Sequence, residues 1–120
     1  MQGLQSELVD AIEDAAADAD DLRPADLRVG VDSLDPLLEQ CGEAVVKRCL
    51  DVVGEHVRDR KGMAHYVLTN GYDTDRVQRL VANVDAVIEL RTVSPDEYDH
   101  EAQQRWHVPR RDITTEWAPL

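Results

Sequence analysis

The chain has 120 residues, with 25 Asp or Glu against 13 Lys or Arg and a net charge of −12. This balance argues against a nucleic-acid surface, which needs clustered Lys and Arg, and no apolar run approaches the ~20 residues of a membrane span. The length fits one domain with one core. That core must be aliphatic, because there is no Phe and only Trp106, Trp117 and three Tyr.

Asp outnumbers Glu, and Lys47 and Lys61 are the only lysines. A carboxylate-rich surface of this kind keeps protein soluble in concentrated salt, whereas in ordinary buffer the same charges repel one another. A halophilic source is therefore expected. No secretory signal opens the chain, so the expected location is cytoplasmic. Cys41 and Cys49 fall in or beside one predicted helix. Their spacing corresponds to a rise of about 12 Å, beyond the roughly 7 Å a disulfide spans. Two small buried thiols are expected, with too few ligands for a zinc site.

In chain order, residues 4–19 read as an amphipathic helix. Leu4, Leu8, Ile12, Ala15, Ala16 and Ala19 share one face, with acidic residues mostly opposite. Asp20-Asp21-Leu22-Arg23-Pro24 breaks it. A strand follows at Leu27–Val31, then a short helical turn from Asp35-Pro36 carrying Leu37 and Leu38. Gly42 separates this turn from a longer helix, Glu43–Arg60, with the stripe Val46, Cys49, Leu50, Val53 and Val57. Cations at residues 58–61 suit its dipole, and Gly62 its stop.

Ala64–Leu68 is the second expected strand, and Asn70-Gly71 a turn. Asp73 or Thr74 can cap a helix over Asp75–Asn83. Ala86–Leu90 is the third strand. This order is the βαβ signature of a parallel sheet. Residues 92–102 read as an exposed acidic loop. Gln103–Val108 is expected as a fourth strand, antiparallel to the third, and Ile113–Trp117 as a short strand or ordered tail within 109–120. The expected class is α/β, a small mostly parallel sheet with flanking helices and a C-terminal antiparallel hairpin.

The most informative stretch is Leu27-Arg28-Val29-Gly30-Val31-Asp32-Ser33-Leu34, a buried strand ending in an aspartate. An aspartate there can hold a metal on a phosphate chain. No Gly-x-x-x-x-Gly-Lys-Ser/Thr loop accompanies it.

From Leu27–Leu38, from His65-Tyr66-Val67-Leu68, and from Ala86–Arg91 with its return strand Gln104–Val108, residues 27–108 resemble the carboxyl-terminal half of a RecA-like domain. The resemblance is to the KaiC-like branch and its degenerate haloarchaeal relatives. It implies a P-loop NTPase-like core without its phosphate loop, in which Leu27–Val31 corresponds to the Walker B strand. It also implies that Ala64–Leu68 and Ala86–Leu90 either pair directly or leave edges open to another chain. The sequence departs from the family in lacking the phosphate-loop lysine and glycines and the catalytic glutamate.

The candidate nucleotide or metal residues are Asp32, Ser33 and Thr69, with residual Mg-ATP as the one cofactor considered and no metal site assigned. The structural alternative for Asp32 is a cap on the following turn. Read as a receiver domain, Asp32, Thr69 and Arg91 would end successive strands, with Arg in place of the usual Lys. His65, inside the second strand, is expected to be a packed core histidine. The acidic loop at Asp96–Glu101 matches no Ca²⁺ loop. Trp106 and Trp117 are expected either in the core or as an exposed partner-binding pair. The function expected from these features is a regulatory or signalling interaction module without catalysis, with a protein partner or a homodimer. The alternatives are a nucleotide-binding subunit completed by a partner chain and a receiver-like phosphoacceptor.

Overall fold

The computed structural model describes residues 2–18 and 23–120. Ala19 and the expected break at Asp20-Asp21-Leu22 lie outside them, as does the side chain of Leu4. Two compact units divide the chain, Met1–Thr69 and Asn70–Leu120.

In the first unit, helix α1 (Gln2–Asp18) precedes strand β1 (Arg28–Val31), helices α2 (Asp35–Cys41) and α3 (Glu43–Asp59), and strand β2 (Met63–Tyr66). The two strands pair in parallel, from Arg28 opposite Met63 to Val31 opposite Tyr66. A parallel pair needs a long crossover, and here α2 and α3 supply it. The expected α3 stripe is the buried one: Val46, Cys49, Leu50, Val53 and Val57 all face inward. Ile12 from α1 and Leu27 join Cys49, Val53 and Val57 in one cluster, with Leu8, Val29 and Ala64 against it. Glu13 ties α1 to α3 by accepting from His56 Nδ1 at 3.0 Å and Arg60 Nη2 at 2.5 Å. Those two hydrogen bonds hold its carboxyl below the usual range. Cys41 and Cys49 are both free thiols; Cys49 is buried as expected, whereas Cys41 is only partly covered.

The end of α3 departs from expectation. Lys61, not Gly62, takes the left-handed backbone, with φ 54°. The N–H of Lys61 donates to Arg58 O (2.9 Å) and that of Gly62 to Val57 O (2.8 Å), which satisfies two carbonyls of the last turn. Gly62 is needed for close approach instead, because a Cβ there would lie 2.7 Å from Leu27 O. His65 is also not a core residue. It is exposed, and its ring lies over Gly30, where a Cβ would meet it at 2.7 Å.

In the second unit, helix α4 (Asp75–Leu80) runs into a 3₁₀ turn, Val81–Asn83, with Val77 and Leu80 buried. Thr74 occupies the N-cap position, but its hydroxyl donates to Gly71 O (2.7 Å) and makes no side-chain cap. Strand β3 (Val87–Thr92) pairs antiparallel with β4 (Ala102–Val108) over six residue pairs. Short strands β5 (Ile113–Thr114) and β6 (Ala118–Pro119) both pair with β4.

The α/β class and the antiparallel hairpin are therefore present, but the parallel part is confined to β1 and β2. β3 was expected as a third strand of the parallel sheet, either paired with β2 or leaving edges open; it does not pair with β2 and belongs to the antiparallel sheet. The physical reason lies in its alternation: Val87-Ile88-Glu89-Leu90-Arg91-Thr92 places unlike residues on its two faces. A central parallel strand, covered on both, reads as a continuous apolar run. No helix among the described residues is long and apolar enough to cross a membrane.

Candidate functional site at the carboxyl ends of the parallel strands

Ligands of open parallel sheets sit beyond the carboxyl ends of the strands. Here that end is built by the segment after β1 and the residues after β2. The ladder continues past both strands: Val67 donates to Val31 O (3.1 Å), and Val67 O accepts from Leu34 N–H (2.8 Å). This pins the start of α2 against the end of β2 and brings Ser33 and Thr69 to a common partner.

That partner is Asp35, which sequence reasoning treated only as a helix-starting residue. Its Oδ2 accepts from Ser33 Oγ (3.2 Å), Thr69 N–H (3.2 Å) and Thr69 Oγ1 (2.9 Å). Ser33 Oγ accepts in turn from Asp35 N–H at 3.3 Å. The structure thus unites two of the three predicted site residues through a carboxylate that was overlooked. The sequence signal for it was the Ser-x-Asp spacing before Pro36. Asp32 stands apart, exposed and without a hydrogen bond among the described residues. The turn-capping role open to Asp32 falls to Ser33. Among the described residues, no three His, Cys, Asp or Glu side chains are grouped to hold a metal ion.

A second polar constellation lies within the antiparallel sheet, and none of it was assembled from the sequence. Residues opposite each other in an antiparallel pair share a face, so Glu89 with Arg105 and Arg91 with Gln103 line one side. Arg105 donates to Glu89 Oε1 from Nε (3.0 Å) and Nη2 (2.7 Å). His107, 4% exposed, donates from Nε2 to the same oxygen, and its Nδ1 lies 3.0 Å from Thr114 Oγ1. The Tyr72 ring stacks on the imidazole at 3.6 Å. Arg91 donates twice to Gln103 Oε1, at 2.9 and 2.7 Å. Buried Gln103 passes the chain on to His100 Nε2 (2.9 Å), and His100 Nδ1 to Asp99 Oδ1 (2.9 Å). Trp117 lies under both guanidinium groups, 3.9 Å from Arg91 and 4.5 Å from Arg105. Burial pushes the Glu89 carboxyl up, but the hydrogen bonds from His107 and Arg105 outweigh it and hold the group below the usual range.

The two tryptophans do not form the exposed pair considered above. Trp117 is half-buried in this polar layer, whereas Trp106 is exposed on the opposite face of the sheet. Arg91, the residue a receiver reading needs, is occupied by Gln103 and Trp117.

Residues 1–90 match the model of a family of unknown function, DUF7504. The chain belongs to DUF7504. No curated protein and no solved structure matches it. The DUF7504 stretch holds Asp32, Ser33, Asp35 and Thr69, and reaches Glu89 on β3. It also holds Tyr66, whose hydroxyl is buried without a hydrogen-bond partner. Burial there pushes the phenol up to about 12.

Proposed function

We propose that this DUF7504 chain is a regulatory or signalling interaction module of a halophilic archaeon, working in the cytoplasm, whose α/β fold is a reduced relative of the RecA/KaiC-like core. One observation carries the reading: at the carboxyl ends of β1 and β2, Ser33 and Thr69 both direct their hydroxyls to Asp35. The groups that would meet a phosphate or a metal are engaged with one another, as in a structural clasp. Function on this reading lies in binding another protein.

The second reading is a nucleotide-binding subunit that completes an ATP site with a partner chain. What favours it is Asp32, exposed and unengaged where such a ligand is held. Calorimetric titration of Mg-ATP at molar salt, on the wild type and on Asp32→Ala, separates the two. The interaction reading expects no heat from either protein. Binding to the wild type that disappears in Asp32→Ala overturns it in favour of the nucleotide site.

A further inference from the structure

The polar layer of the second unit reaches the surface at a hydroxyl. Thr114 lies on exposed strand β5, opposite His107 in the β4–β5 register. Its Oγ1 is 3.0 Å from His107 Nδ1. The direction of that hydrogen bond is fixed from the other side of the ring. Arg105 donates twice to Glu89 Oε1, at 3.0 and 2.7 Å, which favours the carboxylate, and a carboxylate can only accept. In the neutral imidazole the proton therefore sits on Nε2, facing Glu89, and Nδ1 presents a lone pair. The Thr114 hydroxyl donates to it. The Tyr72 ring, stacked on the imidazole at 3.6 Å, holds the plane of this buried base. A hydroxyl directed to a base that a carboxylate orients is the arrangement of an activated nucleophile. We propose that Thr114 is a covalent modification site, accepting acyl groups from activated esters or thioesters, with His107 as its general base and Glu89 as the residue that positions the base.

In that step the bond between Thr114 Oγ1 and the acyl carbon forms, and the bond from the acyl carbon to the leaving oxygen or sulfur breaks. The hydroxyl proton passes to His107 Nδ1 and then to the leaving group, so the donor departs as an alcohol or thiol and no oxidant or reductant enters. An acyl donor fits better than a phosphoryl donor. Phosphoryl transfer rests on cations that gather charge on the equatorial oxygens. Here Arg105 is held by Glu89, and Arg91 by Gln103 and Trp117. The product has a consequence of its own. An acylated threonine has no hydroxyl proton to give, so buried His107 Nδ1 loses its donor, which is costly away from water. Modification at the surface is thereby felt in the layer that joins β3 to β4. Thr115, the next residue and also exposed, supplies the contrast: its Oγ1 accepts from the Trp106 N–H at 2.9 Å.

This inference goes beyond the interaction reading and does not depend on it. Incubation of the full chain with p-nitrophenyl acetate at molar salt, followed by peptide mass spectrometry, compares acetyl uptake at Thr114 with that at Thr115. Thr114 should be acetylated on the order of a hundredfold faster, the low end of what a positioned base contributes. Its rate should fall on acidification, since a protonated imidazole accepts nothing. Thr114→Ser should keep the adduct at position 114 and Thr114→Val should lose it, both with unchanged circular dichroism because the residue is exposed. Glu89→Gln, whose amide can donate to Nε2 and so move the ring proton to Nδ1, should slow uptake at Thr114 on the order of tenfold. It should also flatten the pH profile, which loosened packing alone would not do. Equal uptake at Thr114 and Thr115 overturns the proposal. So does a Thr114 rate that neither acid nor Glu89→Gln lowers, which would leave the hydroxyl as a structural support for His107.

Discussion

In the first unit, the parallel pair β1–β2 is covered by Ile12, Cys49, Val53 and Val57, all aliphatic or thiol side chains from two helices. In the second, the covered face of the sheet is a connected polar layer running from His107 through Glu89 and Arg105 to Trp117, Arg91 and Gln103. The first kind of interior is non-directional and tolerates small shifts. The second is directional. A one-residue slip of β3 against β4 would turn Ile88 inward and Glu89 outward, and would break at once every bond that Glu89 and Arg91 make to β4. The apolar unit therefore gains chiefly stability from its interior, and the polar unit gains register. Its inward polar groups are also why the sheet's apolar side chains face out.

The largest test of this contrast is Ile12→Ala. Ile12 is 2% exposed and central to the aliphatic cluster, so its truncation should cost about 3 kcal/mol through lost burial and the cavity left behind. Urea unfolding checks it. A loss below about 1 kcal/mol would mean that α1 is not part of a packed interior.

Glu89→Gln is the matching break in the polar unit. It leaves Arg105 and buried His107 facing a neutral amide, and should cost about 2 kcal/mol, discounted from the cost of breaking a fully buried pair because Arg105 is partly exposed. The pH dependence has a defined sign. The folded value of Glu89 lies below its ordinary 4.5, so its contribution is fully present above that value and fades as pH falls through the folded one. Comparing acid unfolding of the wild type and Glu89→Gln isolates this share. Equal acid sensitivity in the two proteins would show that the layer owes nothing to the Glu89 charge.

How far the sequence foretold each unit follows from the same contrast. The buried stripe of α3 was legible from Val46 to Val57, because helical periodicity is local and apolar burial needs no specific partner. The β3–β4 hairpin was legible from alternation. The Ser33–Asp35–Thr69 clasp was not, because Thr69 lies 34 residues from Asp35 and reaches it only through the parallel register. His107 and Glu89, 18 residues apart, are likewise joined by register alone. The period-2 run Gln103, Arg105, His107 on β4 was the visible trace. Alternation of that kind ordinarily points the polar side chains to water, so it does not by itself reveal a buried layer. Lys61 in the left-handed position was hidden for a different reason: the neighbouring Gly62 was the expected occupant of that conformation.

Tyr66 sharpens the comparison from inside the apolar unit. Buried polar groups of the second unit are bonded into a network, whereas the Tyr66 hydroxyl is buried with no partner among the described residues. An unsatisfied buried hydroxyl costs stability, so Tyr66→Phe should be neutral to stabilising, by up to about 1 kcal/mol. The alkaline limb supplies an independent readout. The phenol's ordinary value is 10.0 and burial raises it to about 12 in the folded protein. The folded state therefore keeps its proton where the unfolded chain has lost it, and wild-type stability should decline as pH rises from about 10 towards about 12. Tyr66→Phe should lack that part of the decline. Tyrosinate absorbance should show one of the three tyrosines titrating late in the folded protein. If Tyr66→Phe instead destabilises the protein as much as the loss of a good hydrogen bond would, the hydroxyl is satisfied, and the first unit too holds a polar contact at its centre.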